Sequence, residues 1–161
     1  MQADYATELR WSPERPNVLV VACSDGRLQD VTDDFLRNRL GIVRYDRFYT
    51  PGGAGALAPT GRDFMRARQM RHECRYLIDL HQVEWTILLF HSPTRDGPVD
   101  AMCADYRRKI PWASMDMLRD RQLADAKELR NDARDWAGES QVDIFRCEID
   151  QAGAATFVTL D

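Results

Sequence analysis

A chain of 161 residues, 44% hydrophobic and 30% charged, can bury a core without disulfide staples, so the expectation is one soluble globular domain over residues 1–161. A formal net charge of −4 gives no basic footprint for nucleic acid or an anionic membrane, and no apolar run reaches the roughly 18–20 residues of a membrane span. The N-terminus has no apolar signal core and the four cysteines (Cys23, Cys74, Cys103 and Cys147) are scattered, so reduced thiols in the cytoplasm are expected.

Residues 1–16 are polar and carry Pro13 and Pro16, which suits a short arm leading into the first strand. Val18–Arg27 then gives an apolar run ending in Cys23, Asp25 and Arg27, the pattern of a strand buried on both faces of a parallel sheet. Ligands in open α/β sheets collect beyond the carboxyl ends of strands, so these three residues stand where chemistry is expected. Leu28 to Leu40 has helical apolar spacing and a glycine stop at Gly41. Ile42 to Tyr49 alternates like a second strand and runs into Thr50-Pro-Gly-Gly-Ala-Gly55, where glycine permits close backbone approach.

Thr60 with Asp63 reads as a capping-box variant opening a helix whose stripe is Phe64, Ala67, Met70, Cys74, Leu77 and Ile78. Trp85 to His91 is the strongest buried strand, and it ends in an imidazole as the first ends in a thiol. A turn over 92–97 and a helix from Pro98 to Lys109 follow. A long amphipathic helix capped by Ser114 then runs to Gly138, with Met115, Leu118, Ala126, Leu129, Ala133 and Trp136 along one side. Val142 to Ile149 and Ala155 to Leu160 read as a strand and a short edge partner. This order predicts an α/β fold: a three-layer, mostly parallel sheet flanked by helices.

Cys23-x-Asp25-x-Arg27 after strand one, a glycine-rich turn with Gly52 and Gly53 after strand two, and His91 at the end of strand three together resemble the β-class carbonic anhydrases. The resemblance covers roughly residues 17–160. It implies zinc as cofactor with Cys23 and His91 as two ligands, Asp25 and Arg27 as the catalytic dyad, and Gly52 and Gly53 lining the substrate pocket. Where the family carries a cysteine three residues after its histidine, this chain has Thr94, placed by the same alignment at the pocket. A neutral hydroxyl is a poor zinc donor. Asp25 itself ranks first as replacement ligand, ahead of Cys103 and then Asp96.

The implied activity is reversible hydration of CO2, zinc making water nucleophilic near neutral pH. Two alternatives are a metal-depleted homologue acting as a binding or structural subunit, and a hydrolase of carbonyl sulfide or carbon disulfide. The expected partners are a small-molecule substrate and a second copy of the chain, as a homodimer or higher homo-oligomer. The plainer readings are a packed Cys23, a hydrogen-bonded structural His91, a surface ion pair or helix cap for Asp25 and Arg27, and simple turn glycines. Cys74 and Cys147 are assigned to packing, His72 and His81 to exposed helix positions, and Trp11 and Trp112 to core or subunit contact.

Overall fold

In a computed structural model describing residues 4–60 and 63–160, five strands form one sheet in the order β2-β1-β3-β4-β5. They are β1 (Val18–Cys23), β2 (Asp46–Thr50), β3 (Trp85–Pro93), β4 (Gln141–Ile149) and β5 (Ala155–Thr159). All neighbours pair in parallel except β5, which returns antiparallel on β4 through a turn at Gly153. The helices are α1 (Gln29–Asp34), α2 (Phe64–His81), α3 (Ala104–Lys109), α4 (Met115–Asn131) and α5 (Ala133–Ala137). The expected α/β class and mostly parallel sheet are therefore present.

The central strands explain why this sequence makes this sheet. Val18 to Ala22 and Thr86 to Pro93 are buried throughout, because helices cover both faces and leave no position for a solvated side chain. On one face Leu19, Val21, Leu88, Phe90 and Ile144 meet Cys74 and Ile78 of α2, Leu118, Ala126 and Leu129 of α4 and Trp136 of α5. On the other, Val18, Val20, Ala22, Ile87 and Leu89 pack against Phe35, Leu36 and Ile42.

Local departures from the sequence expectation have identifiable causes. The segment after Arg27 is a 3-10 turn, then α1, then a π turn over Phe35–Arg39. Ile42 donates its amide to the Leu36 carbonyl at 2.8 Å, which folds the chain back and delays β2 to Asp46. The capping box does not form: Asp63 makes no side-chain cap at α2, its carboxylate is taken by Arg108, and the Thr60 hydroxyl donates to Asp125 at 2.5 Å. Phe64 points outward. The expected helix from Pro98 is a 3-10 turn over Val99–Ala101 followed by extended Met102 and Cys103, so α3 begins only at Ala104.

Asp125 on α4 is fully buried, a placement composition alone would not suggest, and it accepts from Thr60, from Tyr106 at 2.6 Å and from Arg121. Trp11 and Trp112 are 86% and 74% exposed, so neither is core. Residues 4–16 carry no helix or strand, and residues 1–3 of the expected arm lie outside the described residues.

Ser114 does cap α4, its hydroxyl accepting from the Met117 amide at 3.3 Å. Ser114→Ala orphans that donor and is expected to cost about 1 kcal/mol. For a chain of this size that lowers Tm by about 2–4 °C in a thermal melt, and an unchanged Tm would show that solvent replaces the cap at no cost.

Candidate metal centre

The carboxyl ends of β1 and β3 lie side by side, with Val21 opposite Leu88, so the residues that follow are delivered to one place. Cys23 packs on the side of Leu19 and Val21, whereas alternation puts His91 on the side of Ile87 and Leu89. They come together at this end of the sheet, Cys23 as the last residue of β1 and His91 two residues before the end of β3. Cys103 comes in from the extended pair ahead of α3. The ligand atoms of Cys23, His91 and Cys103 all lie within 4.8 Å of one another.

His91 is 4% exposed. Its Nδ1 is 2.9 Å from the Ala101 carbonyl, which can only accept, so the proton sits on Nδ1. That leaves the Nε2 lone pair buried and without a hydrogen-bond partner. An unsatisfied buried nitrogen beside two sulfurs is an arrangement that hydrogen bonding within the chain does not explain.

The two thiols are inequivalent. The neighbouring Cys103 thiol, with the nearby His91 imidazole and the Gly52 amide, holds the Cys23 thiol well below its ordinary pKa against the effect of burial. Cys103, beside that sulfur and itself buried, is raised. Charge is therefore concentrated on the sulfur at the end of β1.

Asp25 is not one of the three residues of that group. Arg27 grips its carboxylate through Nε at 3.0 Å and Nη2 at 2.7 Å, and the Arg27 amide adds a third bond at 3.0 Å. This grip pulls the Asp25 carboxyl down to about 2. Arg27 also reaches Asp100, at 3.2 Å to both its carboxylate and its carbonyl. A cavity of about 200 Å³ opens beside the dyad, walled by Leu28, Val31, Pro98, Ala101 and Ile149, with Asp25, Arg27 and His91 at its polar side.

Among solved structures, the chain is similar to β-carbonic anhydrases. A mutant of CafD from the fungus Aspergillus fumigatus aligns with TM-score 0.47 and 15% identity, over 97% of this chain and 94% of that one. A carbonic anhydrase from Streptococcus mutans gives 0.45 and 15%, over 95% and 87%. The β-carbonic anhydrase isoform I of Trichomonas vaginalis gives 0.36 and 16%, over 97% and 88%. No protein-family model matches the chain, and no curated protein does either.

Of the residues expected at the site, Cys23 and His91 converge, and Asp25 and Arg27 pair at the cavity. Ranking Asp25 ahead of Cys103 as third ligand is not what the geometry favours: Arg27 occupies the carboxylate, and Cys103 is the residue grouped with Cys23 and His91. Asp96 is exposed in the turn after β3. Thr94 sits in that same turn, its amide donated to the Ile149 carbonyl at 2.8 Å, and it is not among the residues walling the cavity. Gly53 lies behind Cys23, against the backbones of β1 and β3, while Gly52 turns at φ 96° beside Asp105. Gly53 supports the end of β1, and neither glycine lines the cavity.

Sequence reasoning missed the Ala101 carbonyl, which as a backbone group leaves no signal, and Asp100. The start of α3 did leave one. Asp105 marks a first helical turn, which places Cys103 at the cap and not inside the helix.

Proposed function

We propose that the chain is a carbonic anhydrase-like lyase that reversibly hydrates CO2 to bicarbonate, with zinc held by Cys23, His91 and Cys103. The observation that carries this reading is the buried, partnerless Nε2 of His91 facing two thiols. Two sulfurs and one imidazole are a donor set that zinc favours, and a site with three protein ligands keeps the open position catalysis requires. When bound, the metal would supply a Lewis acid that makes water nucleophilic near neutral pH.

The remaining roles belong to the chain. The Ala101 carbonyl holds the imidazole in the tautomer that presents Nε2. Asp25, kept ionised and immobile by Arg27, accepts a hydrogen bond from the attacking water and aims its lone pair. Leu28, Val31, Pro98, Ala101 and Ile149 give a small neutral substrate an apolar wall to rest on. Cys103 stands in for the sulfur that the resemblance leads one to seek at Thr94. The small molecule is the proposed partner, and among the described residues no helix is long and apolar enough to cross a membrane.

The test is metal analysis joined to stopped-flow CO2 hydration, on protein grown with zinc and never exposed to chelator. About one zinc per chain and hydration lost in Cys23→Ser are expected. Metal far below one per chain rejects the enzyme reading. Stoichiometric zinc with turnover only of carbonyl sulfide or carbon disulfide rejects CO2 as substrate.

A further inference from the structure

The two sulfurs of the cluster are ligands in the reading above, and they are also each other's neighbours. Cys23 and Cys103 are eighty positions apart in the chain, yet their sulfurs lie within 4.8 Å of each other. The other described cysteines, Cys74 and Cys147, are buried elsewhere, and neither belongs to the cluster. Cys23 is the one cysteine of the four that is only partly buried, and it borders a cavity of about 80 Å³ with Ser24, Asp25 and Tyr49, large enough for a molecule the size of hydrogen peroxide. Cys103 is 1% exposed and sits in extended backbone before α3, free of the constraint a helix interior would place on its side chain.

We propose that Cys23 and Cys103 form a reversible disulfide under peroxide, a modification that removes two of the three donors and so switches the centre off. The inference rests on the proposed metal site for its consequence and on the sulfur geometry alone for the bond itself.

The chemistry balances in two steps. The Cys23 sulfur attacks one oxygen of the peroxide, the O–O bond breaks, and sulfenic acid and water form. The Cys103 sulfur then attacks the Cys23 sulfur, an S–S bond of about 2.05 Å forms, and hydroxide leaves with the Cys103 proton as a second water. Two electrons pass from the sulfurs to the peroxide, and a dithiol reductant returns them. The buried position of Cys103 directs the sulfenic acid to this partner before a second peroxide can oxidise it further.

The experiment treats chelator-stripped protein with a small excess of hydrogen peroxide, blocks free thiols with an alkylating reagent, and maps peptides by mass spectrometry. Before alkylation the expected product is about 2 Da lighter than the reduced chain; after it, peptides containing Cys23 and Cys103 are joined and Cys74 and Cys147 are alkylated. Cys103→Ser is expected to abolish the cross-link and leave Cys23 as sulfenic or sulfinic acid. A wild-type chain with oxygen added to Cys23 and no cross-link overturns the proposal, as does a disulfide that uses Cys74 or Cys147.

Zinc binding measured in parallel separates the two readings. Oxidised protein is expected to take up less than a tenth of the zinc of the reduced form and to recover after dithiothreitol. A cross-link in a chain that binds no zinc when reduced supports the disulfide and rejects the carbonic anhydrase reading. Stoichiometric zinc without a cross-link does the reverse.

Discussion

Cys103→Ala is expected to strip the protein of zinc, from about one per chain to less than about a tenth, while leaving the fold intact. No nearby group can replace the second sulfur: Asp25 is committed to Arg27 through three side-chain bonds, and Asp96 is exposed in a turn. Losing a group that merely orients a ligand costs about 10–100-fold in metal affinity, so losing a ligand outright should cost more than that. Competition against a chromophoric chelator would measure it.

Asp25→Ala makes the sharper contrast, with zinc retained near one per chain and CO2 hydration lost. Thr94→Cys, which would restore the spacing of the resembled family, is expected to leave zinc content unchanged because that residue is tied into the turn by its bond to Ile149. Should Asp25→Ala lose the metal and Cys103→Ala keep it, the ligand assignment made from the geometry is wrong. Circular dichroism on each variant guards against reading an unfolded chain as an empty site.

The sheet could be read from the chain because its two central strands are apolar without interruption, and only burial on both faces produces that pattern. Their order relative to the helices fixed the crossovers, and so the common end at which Cys23 and His91 meet. The third candidate ligand was harder for a reason rooted in backbone conformation. Pro98 looks like a helix start, and a helix from there would place Cys103 in its second turn; instead Val99–Ala101 makes one 3-10 turn and the chain extends at Met102 and Cys103. That difference changes the direction of one side chain, and with it the identity of the donor.

Capping was misread at Thr60 for a related reason. Its hydroxyl answers a buried carboxylate 65 positions away on α4, and a tertiary demand of that kind leaves no local trace. The tryptophans followed the same logic in reverse. Trp136, on the apolar side of its helix, is buried with a bond to the Leu129 carbonyl at 3.0 Å, while Trp11 and Trp112, in segments with no such periodic face, lie outside.

Gly53→Ala is expected to be strongly destabilising. Gly53 holds φ at 52°, a region that costs an L residue about 1–2 kcal/mol. An added Cβ would also stand 2.6 Å from the Cys23 amide nitrogen, 2.8 Å from the Leu89 carbonyl oxygen and 2.9 Å from the Ala22 carbonyl carbon. All three are backbone atoms of β1 and β3, and none can swing aside as a side chain would. Overpacking of this kind adds about 1–3 kcal/mol, so a total near 3 kcal/mol or above is expected, about 6–12 °C in Tm for a chain of this length.

Two other glycines separate the contributions. Gly153→Ala has φ of 83° with nothing within 4 Å of the new carbon, and should show the conformational cost alone. Gly26→Ala has open space and no positive φ, and should be close to neutral. If the three variants melt together, close approach behind Cys23 contributes nothing to stability. If Gly53→Ala alone collapses and, in the folded fraction, also loses zinc, the glycine turn is the wedge that sets where the first sulfur stands.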